Sequence, residues 1–81
     1  MKTKYFKSFS ELQDTLSIGH EMNFSLFGFD YYFGAPDGKY VLSRLDGLEV
    51  YFDLLDDFYN YEIQGKSIKD LWYEIDIDVI Y

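Results

Sequence analysis

The sequence predicts an α+β domain: an N-terminal helix, a four-stranded antiparallel meander, two short helices, and a chain end that can pair with the sheet edge as a strand or stay free. Three observations lead there. A capping motif opens the chain, two-residue alternation interrupted by Gly and Pro turns fills residues 21 to 52, and helical spacing of apolar residues returns after residue 53.

Ser8-Phe9-Ser10-Glu11 matches the S-x-x-E capping box, in which hydroxyl and carboxylate satisfy free amide donors at a helix start. Phe9, Leu12 and Leu16 then form one apolar stripe, and Gly19 stands where a left-handed terminator is expected, so the first helix should run from about residue 9 to 18. Met22, Phe24 and Leu26 alternate with polar residues, and Gly28-Phe29 offers a tight turn into a second strand, Asp30 to Gly34. Ala35-Pro36-Asp37-Gly38 is a turn, because Pro presets its φ and Gly accepts a positive one. Lys39 to Leu45 resumes alternation, with Tyr40, Leu42 and Arg44 on one side. Asp46-Gly47 reads as a type I′ hairpin pair, and Leu48, Val50 and Phe52 complete a fourth strand.

Asp53 can cap a short helix bearing Leu54, Leu55 and Phe58 that ends near Asn60 or Tyr61. Ile63 to Lys66 is a linking turn. Ser67-Ile68-Lys69-Asp70 is a shorter-armed capping box, followed by an inward stripe of Ile68, Leu71, Trp72 and Ile75. Ile75 to Val79 alternates strictly, which as a strand would put Asp76 and Asp78 on its solvent face. With 81 residues and no repeat or linker, the chain reads as one domain, residues 1 to 81, with a thin core.

Composition bounds the chemistry. Without cysteine, neither disulfides nor thiolate metal sites can staple the fold, which fits a reducing cytoplasm. The basic N-terminus leads into polar residues instead of an apolar run, so it does not read as a signal peptide, and no stretch is long enough to span a membrane. His20 is the only histidine and reads as a surface residue after a helix. No nucleophile elbow, phosphate loop or calcium loop occurs, so no catalytic residue, metal or cofactor is expected. Direct nucleic-acid binding is disfavoured by the net charge of −8, with Lys2, Lys4 and Lys7 the one small basic cluster.

That charge is segregated. Residues 1 to 44 carry five basic and five acidic side chains, whereas residues 45 to 81 carry Lys66 and Lys69 against ten acids. Asp53 with Asp57, and Asp70 with Glu74, stand four apart, where like charges sharing a helix face cost about 0.2–0.5 kcal/mol per pair. Tyr51, Tyr59, Tyr61 and Tyr73 are interleaved with Asp53, Asp56, Asp57, Glu62, Asp70 and Glu74. Tyr supplies large contact area at small entropic cost, so these ten residues form the candidate partner-binding face; the plainer reading is a solubilising surface with tyrosines capping a small core.

The stretch Ile63-Gln64-Gly65-Lys66-Ser67-Ile68-Lys69-Asp70-Leu71-Trp72-Tyr73-Glu74-Ile75 resembles the ending of small uncharacterised acidic proteins of Gram-positive bacteria and their phages or mobile elements. The resemblance covers the last third of the chain and implies no active site. In size and charge the chain is also similar to phage inhibitors of host defence nucleases. The expectation is therefore a non-enzymatic binding module for a basic partner: an anti-CRISPR or anti-restriction type of inhibitor that mimics DNA with carboxylates. The alternative is a structural or assembly protein acting as a homodimer.

Overall fold

A computed structural model describes residues 6–81 and shows an N-terminal helix packed with later helical turns on one face of a five-stranded antiparallel sheet. Lys2 and Lys4 of the basic cluster lie outside the described residues. Helix α1 spans Phe9–Ser17. The Ser8 hydroxyl accepts from the Glu11 amide at 3.3 Å, and the Glu11 carboxylate accepts from the Lys7 amide at 3.3 Å, so the cap reaches one residue further back than a standard box. Gly19, at φ +95°, turns the chain out of the helix.

Strands β1 (Met22–Leu26), β2 (Phe29–Gly34), β3 (Tyr40–Arg44) and β4 (Glu49–Phe52) follow. Two turns differ from the sequence expectation. Leu26 pairs with Phe29, so the first tight turn is Phe27-Gly28, both at positive φ, and not Gly28-Phe29. At the third hairpin the Gly47 amide donates to the Arg44 carbonyl and the Arg44 amide to the Leu48 carbonyl, with only Gly47 at positive φ. This is a three-residue loop closed by a glycine bulge, not the expected type I′ pair.

Helix α2 spans Leu55–Tyr59 with Leu54 at its N-cap and no side-chain cap. Asp53, expected as the cap, lies one residue too early and instead approaches Lys39 Nζ at 3.6 Å. The linking turn is a miniature ribbon: β5 (Glu62–Ile63) pairs with β6 (Lys66–Ser67) through Gln64-Gly65, both at positive φ. Ser67 caps α3 (Ile68–Leu71) by accepting from the Asp70 amide at 3.2 Å. The expected second turn tightens into a 3₁₀ turn over Trp72–Glu74, so the third helix is shorter than its apolar stripe.

β7 (Asp76–Ile80) pairs antiparallel with β1, giving the sheet order β4-β3-β2-β1-β7. The strict alternation expected of it is broken: Asn23 faces Val79 and Phe24 faces Ile77, so Asp78 is the extra residue of a bulge. The slip turns Val79 outward, 45% exposed, and packs Ile80 against the core beside Ile77. Met22, Phe24, Leu26, Phe33 and Leu42 are buried on the sheet's inner face against Leu12, Leu16, Phe58, Ile68 and Leu71. Phe58 stacks on Phe33 with centroids 3.8 Å apart, and truncating such a ring to Ala costs about 3–5 kcal/mol.

Candidate functional site: the acidic surfaces

The structure divides the expected partner-binding residues among three environments. Asp56 and Asp57 are exposed in the first turn of α2, where the helix dipole favours negative charge. Asp70 is exposed in the first turn of α3, Glu62 is exposed on β5, and Tyr73, 47% exposed, and Glu74 lie on the 3₁₀ turn. Asp53 precedes α2, and Asp70 and Glu74 do not share a continuous α-helix, so neither pair meets the geometry behind the expected like-charge cost.

Two of the four tyrosines belong to the interior. Tyr59 is 5% exposed and packs edge-on against Phe9, with centroids 5.1 Å apart, so it offers no ring to a partner. Its hydroxyl finds no hydrogen-bond partner among the described residues, and burial pushes its pKa up to about 12. Tyr61 is half-buried and edge-on to Phe52. Tyr51, 58% exposed, stands on the opposite side of the molecule from the helices, because its register partner Val41 points away from the core positions Leu42 and Phe52.

That opposite side is the outer face of the sheet, and the sequence reading by halves of the chain passed over it. Alternation and register assemble it from Asn23 and Ser25 of β1, Asp30 and Tyr32 of β2, Val41 and Ser43 of β3, Glu49 and Tyr51 of β4, and Asp76, Asp78 and Val79 of β7. None of these strand positions holds Lys or Arg. Lys39, just before β3, is paired with Asp53, and Arg44 points to the inner face.

Ser25 lies opposite Asp30 on one neighbouring strand and Asp76 on the other. Its hydroxyl oxygen is 2.9 Å from Asp30 Oδ1 and 3.3 Å from Asp78 Oδ2. A hydroxyl has one proton, so at any moment it can donate to only one of these two carboxylates. Beside them a groove of about 360 Å³ is lined by Asn23, Asp30, Tyr32, Ser43 and Asp78, with Tyr31, Arg44 and Leu45 completing its wall. The Arg44 guanidinium itself is engaged on the inner side: Nε donates to Asp46 at 2.8 Å, Nη1 to the Tyr31 hydroxyl at 3.2 Å, and Cζ sits 4.5 Å from the Phe29 ring centroid. Asp46 holds Arg44 well above its ordinary pKa, and the same bond holds the Asp46 carboxyl below the usual range.

The tyrosines of this face are tied to carboxylates. The Tyr51 hydroxyl donates to Glu49 at 3.1 Å, which raises its pKa. Burial first, and a hydrogen bond to Glu21 second, push Tyr32 up to about 12. Both rings therefore stay neutral at physiological pH.

Among the described residues no group of three or more His, Asp or Glu is arranged to hold a metal ion, and no helix is long and apolar enough to cross a membrane. No protein-family model, curated protein or solved structure matches the chain.

Proposed function

We propose that the protein is a non-enzymatic binding module for a basic protein, and in its most concrete form an inhibitor of a nucleic-acid-handling protein that presents carboxylates where that protein expects phosphates. The observation that carries this reading is the outer sheet face, where carboxylates and tyrosine rings stand together with no Lys or Arg at its outward-facing strand positions. Single-sign surfaces of this kind speed encounter with an oppositely charged partner and make association sensitive to salt. A phage or mobile-element antagonist of a host defence protein, working in the cytoplasm, fits the small size and the acidic pI near 4.3.

The test is binding to a panel of basic nucleic-acid-binding proteins by calorimetry at low and high salt, with duplex DNA as competitor. Affinity should fall steeply with salt and DNA should compete. Binding that is indifferent to both would overturn the mimicry. Self-association is a second reading, supported by the open outer edges of β4 and β7 and by the exposed Tyr51, Val79 and Tyr81 near them. It predicts a mass that doubles with concentration in light scattering.

A further inference from the structure

Two acidic surfaces stand on opposite sides of the molecule, and their carboxylates differ in circumstance. Asp56 and Asp57 sit at the start of α2, where a helix stabilises negative charge without any partner. Asp30, Asp76 and Asp78 gain nothing of that kind. They are drawn from β2 and β7 to the two sides of Ser25, where Asp30 and Asp78 share one hydroxyl proton. Two carboxylates within reach of one hydroxyl repel each other, and a cation entering between them would relieve the repulsion.

The groove beside these carboxylates narrows the choice of cation. Tyr32 contributes an aromatic wall, while Asp30 and Asp78 contribute acceptors. A guanidinium can stack its plane on an aromatic ring and still donate in parallel to a carboxylate; an ammonium offers a point charge with no stacking face. Arg44 shows the pairing within this fold, lying over Phe29 while bonded to Asp46.

We propose that the outer sheet face is the docking surface for an arginine-bearing protein partner, with an arginine side chain entering the groove between Tyr32 and the Asp30 and Asp78 carboxylates. The proposal rests on the reading of the protein as an acidic binding module and assigns that function to the sheet side, leaving the helical acids to solvent.

Two double variants that remove the same charge separate the faces: Asp30→Asn with Asp78→Asn, and Asp56→Asn with Asp57→Asn. Each is titrated with a short oligo-arginine peptide and with an oligo-lysine peptide of equal length, while amide chemical shifts report where the peptide sits and circular dichroism reports folding. The sheet pair should weaken oligo-arginine binding about five- to tenfold, the helix pair less than about twofold, and the perturbed amides should lie on β1, β2 and β7. The wild-type protein should also prefer oligo-arginine to oligo-lysine. Equal losses from both double variants, shifts confined to α2 and α3, or equal affinity for the two peptides would overturn the docking assignment alone. No binding of either peptide to the wild-type protein would instead sink the reading on which it rests. If the sheet pair fails to fold, the wild-type shift map still decides the face.

Discussion

The Tyr32 side chain lies over Gly34, two residues along the same strand, and fills the space in which a Cβ would stand. A methyl group there would meet the Tyr32 hydroxyl and ring and would come within 2.7 Å of Glu21 Cγ. Gly34 is thus a glycine for want of room, not for a left-handed backbone. Gly34→Ala should displace the ring and its bond to Glu21 and cost about 1–3 kcal/mol, read as a lower urea midpoint with an unchanged slope. An unchanged midpoint would mean that Tyr32 swings aside freely.

Tyr59 carries a hydroxyl that no described residue satisfies. Tyr59→Phe keeps the edge-on contact with Phe9 and removes the orphaned group, so it should stabilise the fold by about 1 kcal/mol, seen as a higher Tm.

Tyrosine ionisation sets an alkaline limit. In the unfolded chain Tyr59 and Tyr32 ionise near 10, whereas in the fold both are pushed up to about 12. Between those values the folded state holds more protons than the unfolded one, so stability falls as pH rises from 10 towards 12. Tyr59→Phe should flatten that decline, and denaturant melts at pH 9, 10 and 11 compare the two proteins.

Phe27 is a bulky residue held at φ +51° in a tight turn, a conformation that L-residues adopt at a cost of roughly 1–2 kcal/mol. Phe27→Asn should recover about 1 kcal/mol, because Asn-Gly is the preferred pair for this turn. Gln64 stands in the same relation to Gly65, so Gln64→Asn should act in the same direction. A thermal melt of each variant checks this, and a drop in Tm for both would show that the side chains matter more than the turn.

At low pH the Arg44–Asp46 bond should fail in a defined order. Its geometry holds the Asp46 carboxyl below the ordinary range, so its stabilising effect is complete above the unfolded-state pKa near 3.8 and is lost as pH falls through the lower folded value. Carboxyl titration followed by NMR should find Asp46 among the last side chains to protonate. A midpoint at or above 3.8 would contradict the bond.

The parts of the fold that could be read from sequence are those decided within a few residues. Ser8 with Glu11, and Pro36 with Gly38, act on their own neighbours, and the helix start and the turn stand where those residues implied. Choices settled by a partner strand were not readable. Phe27-Gly28 and Gly28-Phe29 are equally plausible turns until Leu26 is seen opposite Phe29, and the bulge at Asp78 exists only in relation to Asn23 and Phe24. The candidate site suffered most from this. Charge counted along the chain grouped Asp53 with Asp57, whereas the sheet groups Asp30 with Asp76 and Asp78, residues whose proximity requires β7 to lie beside β1.

The place of β7 also bears on how the chain acquires its shape. Strands β1 to β4 can pair each with its predecessor across short turns, but β7 meets β1 through contacts such as Ser25 with Asp78, 53 positions apart. Such distant closure comes at a large loss of chain entropy before it is rewarded, which slows it relative to the hairpins. During synthesis the β1 edge, with its row of backbone donors and acceptors, therefore lies open until the last strand has been made. The surface proposed for the partner is completed in that same final step, so a chain still lacking β7 would be without both Asp78 and the groove.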